Sequence, residues 1–98
     1  MFHSDKAYED LLRDGITAAK NDQRRLAQSL LRQAIMLNSA DSRPYLWLSA
    51  TTDDPAEKRE YLEMAVAIDP NNSAARRGLA LLSGKIASER LSDSAEET

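Results

Sequence analysis

The chain carries an internal copy of itself. Residues 31–39 (Leu-Arg-Gln-Ala-Ile-Met-Leu-Asn-Ser) align with residues 62–70 (Leu-Glu-Met-Ala-Val-Ala-Ile-Asp-Pro) at an offset of 31 residues. Every apolar position of the first stretch falls on an apolar position of the second, and Asn38 falls on Asp69. The register continues to Ser42 over Ser73 and Leu48 over Leu79. A pattern that spans the end of one helix, a loop and the start of the next describes a helix hairpin stacked on a second copy. Neither copy can bury its apolar face alone, so the stack itself supplies the core.

Apolar spacing is helical throughout. Tyr8, Leu11, Leu12, Gly15, Ile16 and Ala19 predict a first helix over about residues 5–20, with Asn21-Asp22 closing it and capping the next. Leu26, Ala27, Leu30, Leu31, Ala34 and Ile35 stripe a second helix over about residues 23–37. After a short loop, Asp41 or Ser42 caps a third, over about residues 42–51, with Pro44 tolerated in its first turn. Asp54-Pro55-Ala56-Glu57 places an acid at the cap, proline at the first helical position and glutamate at the third, a capping-box arrangement that opens a fourth helix over about residues 55–68. Asp69 to Asn72 end it, and Ala75, Leu79, Leu82 and Ile86 stripe a fifth over about residues 73–87. Residues 88–98 turn to Ser, Glu and Asp and read as a flexible acidic tail. The expected fold is all-α.

These hairpins resemble the tetratricopeptide repeat, a 34-residue helix–turn–helix unit. The first unit matches at Gly15, Ala27, Leu31 and Ala34, with Leu11 at the tryptophan position, and departs at Asp14, Ala18 and Ser39. The second offers Tyr45, Leu48 and Ser49, then Leu62, Ala65 and Pro70, and departs at Thr52 and Lys58. Gly15 to Ala34 spans 19 residues as the family requires, whereas Ser49 to Ala65 spans 16, so three residues are deleted around the turn at 51–55. The resemblance covers about residues 8–87 and implies a right-handed stack of two hairpins plus a terminal helix that covers the last apolar face. The small residues Gly15, Ala27, Ala34 and Ala65 then read as packing positions where helices approach closely.

Charge and composition exclude several functions. A net charge of −3 and a pI near 5.1 speak against a nucleic-acid binder. The longest apolar run, residues 64–68, is far too short to span a membrane, and the first residues carry no signal-peptide core, so no membrane partner and a cytoplasmic setting are expected. With no cysteine there is no disulfide or thiolate chemistry. His3 is the only histidine, Glu57, Glu60 and Glu63 read as a solvated acidic face, and Asp53 and Asp54 as capping groups. The three glycines form no phosphate loop. No catalytic set, metal site or cofactor is expected.

What remains is a surface. In tetratricopeptide-like arrays the first helices of successive units line a concave face that receives peptide or helical segments of partners. The resemblance carries that face onto Leu12, Ile16 and Lys20, then Arg43, Leu46, Trp47 and Ala50, then Arg77 and Leu81. Trp47 is open to two readings, core residue or binding anchor. Arg76 and Arg77 stand early in the fifth helix, where the macrodipole disfavours cations, and call for a counter-charge: Glu63 across the hairpin, or an acidic partner. The expected function is non-catalytic protein–protein recognition as an adaptor or scaffold. Homodimerisation through the apolar strip of Leu46 and Trp47 is the main alternative, and a small-ligand binder or enzyme a more distant one.

Overall fold

The computed structural model describes residues 2–84, with side chains from residue 6 onward; the tail at 88–98 and the last residues expected in the fifth helix lie outside that range. Helices α1 (Phe2–Lys20), α2 (Arg24–Leu37), α3 (Arg43–Ser49) and α4 (Pro55–Ile68) follow one another, and a fifth helix, α5, is described over residues 73–84. The described residues contain no strand, and residues 45–48, β-branched-poor but apolar, lie within α3. The domain is all-α. Among the described residues no helix is long and apolar enough to cross a membrane.

Among helices α1–α4 the α1/α2 interface is the most extensive, and its tightness traces to one missing methyl group. A Cβ built on Gly15 would stand 2.8 Å from Cδ2 and 2.9 Å from Cγ of Leu31, which is completely buried. Glycine costs about 1 kcal/mol relative to alanine inside a helix, and here close approach to leucine offsets it. Around that contact Tyr8, Leu12, Ala18, Ala27, Ala34 and Leu48 complete one buried cluster shared by α1, α2 and α3. A smaller cluster of Leu62, Ala65 and Ala75 joins α4 to α5. There a Cβ on Gly78 would lie 3.1 Å from Cδ1 of Leu62. Leu31 and Leu62, equivalent in sequence, thus each pack beneath a helical glycine.

The sequence repeat is also a repeat of local hydrogen bonding. Asn38 and Asp69 close α2 and α4 with extended backbone, and their amides donate to Ala34 and Ala65 at 2.9 Å. Each side chain then accepts from the amide two residues on, Ala40 at 2.9 Å and Asn71 at 3.0 Å. Asn72 next caps α5, its Oδ1 accepting from Ala75, while its Nδ2 donates to Ser42 Oγ at 3.0 Å and ties the starts of α5 and α3 together.

Three helix ends differ from expectation. The α1/α2 turn closes α1 as expected: Gln23 donates to the Ala18 carbonyl at 2.8 Å and Asp22 to Ala19 at 3.2 Å, a Schellman closure with Asp22 at φ 60°. Asp22 does not cap α2, however. Its carboxylate instead accepts from the Arg24 guanidinium at 3.1 Å, and the cap position falls on Gln23 without a side-chain bond. At α3 the cap position is Ser42, yet the Asp41 carboxylate is what accepts the Arg43 amide, at 2.9 Å.

Helix α3 ends at Ser49, two residues early, because side chains take over its last carbonyls. Ser49 Oγ donates to Leu46, Thr51 Oγ1 to Leu48 at 2.7 Å, and Lys58 Nζ reaches back from α4 to Ser49 at 2.9 Å. The capping box at α4 is relayed. Asp54 accepts from the Ala56 amide as expected, but Glu57 bonds Thr52 Oγ1, which in turn accepts the Asp54 amide.

Two substitutions separate these causes. Gly15→Ala gains helix propensity but drives Cβ into a leucine with no room to retreat, for a net loss of about 1 kcal/mol. Asp22→Gly relieves the left-handed strain and gives up only an exposed ion pair, for a gain of about 0.5–1 kcal/mol. Urea midpoints at unchanged m-value should move in opposite directions for the two variants.

Candidate functional site

Two hollows lie between the odd-numbered helices. The first, about 280 Å³, is bounded by Leu12, Ile16 and Lys20 of α1 and by Arg43 of α3, with Glu9, Arg13 and Thr17 completing it. The second, about 380 Å³, lies between α3 and α5: Leu46, Ser49 and Ala50 face Ala74, Gly78, Leu81 and Leu82, with Leu62 and Lys58 of α4 at its back. Leu12 and Leu46, and Ile16 and Ala50, stand 34 residues apart, so equivalent positions of successive first helices line successive hollows.

The nine residues expected on this face divide. Leu12, Ile16, Lys20 and Arg43 come together at the first hollow, and Leu46, Ala50 and Leu81 at the second. Leu12 is nonetheless a core residue, 1% exposed, and contributes only the floor. Trp47 lines neither hollow. It is half-buried and packs against the α1–α3 cluster, with Lys20 Nζ 5.6 Å from its ring centroid. Such an arrangement contributes about 0.5–1 kcal/mol and holds both groups in place. Arg77 is exposed on α5, four residues before Leu81.

The expected Glu63–Arg77 pair is not formed among the described residues. Glu63 faces away, bounding with Glu60, Met64 and Ala67 a depression on the far side of α4. Sequence reasoning missed Lys58, Ala74, Gly78 and Leu82. The signal was present in the spacing of Ala74, Gly78, Leu81 and Leu82, one strip of a helix, and in Lys58 standing where the repeat pattern wants a small residue.

Electrostatics concentrate at the mouth of the first hollow. Arg43 donates to Asp41 through Nε at 2.8 Å and to Glu9 through Nη2 at 3.2 Å, joining α1 to the start of α3. Burial alone would raise the Asp41 carboxyl, but hydrogen bonds from the Arg43 side chain and amide outweigh it and hold it below the usual carboxylate range. The same Asp41 hydrogen bond raises Arg43. Tyr8 is buried with its hydroxyl making no hydrogen bond of acceptable geometry. Burial, and then the neighbouring Asp41 carboxylate, push its phenol above the ordinary value.

At the other end of α2, Arg24 bonds Asp53 at 2.8 Å, which lowers the Asp53 carboxyl and fastens α2 to the turn before α4. Gln28 adds a bond to Thr51 Oγ1 at 3.2 Å. Among the described residues no three His, Asp or Glu side chains converge in a way that could hold a metal ion.

Fold and hollows together define the class: an all-α domain of consecutive packed helices with shallow, partly apolar depressions between its odd-numbered members. Neither family models, nor curated proteins, nor solved structures give a match to this chain.

The Asp41 cluster makes a signed prediction. A carboxylate with a depressed folded-state pKa contributes stability above its unfolded value of about 3.9, and the contribution disappears as pH falls through the depressed value. Asp41→Asn should cost about 1–3 kcal/mol at pH 7 and flatten the loss of stability between neutrality and strong acid. A raised phenol acts in the opposite sense: Tyr8 stabilises below its unfolded value of about 10 and loses that contribution as pH rises beyond it. Tyr8→Phe should leave stability at pH 7 within about 1 kcal/mol of the parent and remove part of the alkaline loss. Urea unfolding across pH 2–12 (an order-of-magnitude window set by these groups) reads both.

Proposed function

We propose that this chain is a tetratricopeptide-like recognition module: a right-handed stack of two helix hairpins closed by α5, serving as a non-catalytic adaptor that holds a peptide or helical segment of a protein partner. The observation that carries the reading is the α3/α5 hollow, whose apolar rim residue Leu81 is 69% exposed. A concave, mostly apolar depression with a large aliphatic side chain at its rim is the kind of surface that receives a ligand side chain. Supporting it are the repeat of Asx-closed helix ends and the 34-residue equivalence of the hollow-lining positions.

Self-association through the same face is the second reading, favoured by the exposure of Leu81. The form that relies on Trp47 has less to work with, since that indole is already committed to the core and Lys20.

Panning a display library of short peptides against the chain, followed by amide chemical-shift mapping of an enriched binder, tests the proposal. Shifts should cluster at Leu46, Ala50, Gly78 and Leu81, and Leu81→Asp should weaken binding at least about tenfold with helicity unchanged. Shifts confined to the outer residues Met36 and Met64 would refute the concave assignment. Sedimentation over a concentration series separates self-association, which needs no foreign ligand.

A further inference from the structure

The α3/α5 hollow is apolar at its floor and one-signed at its edge. Its lining contains no acid, and α5 contains none over residues 73–84. Lys58 forms part of the wall, half-buried, its ammonium bonded only to the uncharged Ser49 carbonyl. Neither Lys58 nor Arg77 enters an ion pair among the described residues. Asp53 feels the Lys58 charge, but its carboxylate is held by Arg24. Among the described residues that line the hollow Lys58 is the only charged one, and Arg77 stands on α5 next to Gly78 and four residues before Leu81.

We infer that this hollow takes an acid-flanked apolar segment of a partner protein: a bulky aliphatic side chain seated over Leu62 and Gly78, with carboxylates on either side meeting Lys58 and Arg77. The inference rests on the recognition role proposed above and adds the chemistry of the partner. Gly78 lets α5 close on Leu62, since a Cβ there would lie 3.1 Å from Leu62 Cδ1, and this contact forms part of the floor. Ala50 and Ala74 keep the two walls low. Lys58 holds its ammonium in place through the Ser49 carbonyl, which reduces the entropy lost when a carboxylate arrives. A protein segment fits better than a polyanion such as nucleic acid, since two cations around an apolar floor give little of the extended phosphate contact that such a ligand needs.

The probe is a synthetic amphipathic helix, acetylated and amidated so that its ends carry no charge, with a leucine stripe flanked by glutamates. Its isosteric counterpart replaces each glutamate by glutamine. Binding to the full chain is followed by fluorescence anisotropy of a label on the peptide. The glutamate peptide should bind about three- to tenfold more tightly than the glutamine peptide, with the gap shrinking at high salt.

Lys58→Gln, which keeps a donor for Ser49, and Arg77→Gln should each narrow that gap while leaving helicity intact. Ala50→Phe, at an exposed position, should fill the hollow and weaken both peptides alike. Equal binding of the two peptides to the parent chain overturns the acidic-partner inference and leaves the recognition role standing. Failure of both peptides to bind, or binding indifferent to Ala50→Phe, overturns the hollow as a docking site altogether.

Discussion

The fit of Leu31 beneath Gly15 is the contact on which the rest of the fold depends. It sets the separation of α1 and α2, and that separation lets Ala27 and Ala34 be buried completely with nothing larger than a methyl group. Burying a leucine contributes about 1.5–3 kcal/mol, but only if its surroundings close around it. Small residues on the approaching helices provide the closure. The second seam uses the same device with less material: Leu62 under Gly78, flanked by Ala65 and Ala75. Among the described residues that core is thinner, and the hollow opens there.

Polar side chains then substitute for a missing stretch of backbone. The turn between α3 and α4 is three residues shorter than the first unit's spacing predicts, so α3 stops after seven residues with its carbonyls still to be satisfied. Ser49, Thr51 and Lys58 supply the donors, Gln28 brings α2 into the same knot, and Arg24 reaches Asp53 just beyond it. An unsatisfied buried carbonyl would cost about 1–3 kcal/mol, so the shortening is tolerated only because these residue types stand at these positions. Lys58 departs from the small residue at the equivalent place in the first unit, Ala27. That departure becomes intelligible once its amine is seen to cap α3.

Much of this was legible in the residues. Periodicity located the helices of the described chain, and the 31-residue offset anticipated matching closures at Asn38 and Asp69, to which the structure adds the Asx bonds. Local chemistry with a steric mechanism was also legible, as at Asp54-Pro55. What failed was partner choice. Asp22 bonds Arg24 where a cap for α2 was expected, and Glu63 points away from Arg77, because competition among exposed polar groups turns on fractions of a kcal/mol that spacing does not encode. Trp47 was ambiguous for a related reason: whether an indole on a short helix faces the core depends on how α1 crosses it, a tertiary quantity. Lys58 was invisible as a site residue because it looked like a flaw in the repeat, and Gly78 because the repeat reading gave it no role.

Gly78 links the repeat to the candidate site. At the 31-residue offset Gly78 is the counterpart of Trp47. On α3 the indole packs against the cluster that contains Leu31. On α5 the equivalent position has no side chain, which lets that helix close on Leu62, and the α3/α5 hollow opens beside this contact. An open depression beside a core cluster forfeits dispersion contacts on one face. Bordered by Lys58 and with Leu81 exposed at its edge, the depression leaves apolar surface uncovered by the described residues beside the smaller of the two described clusters.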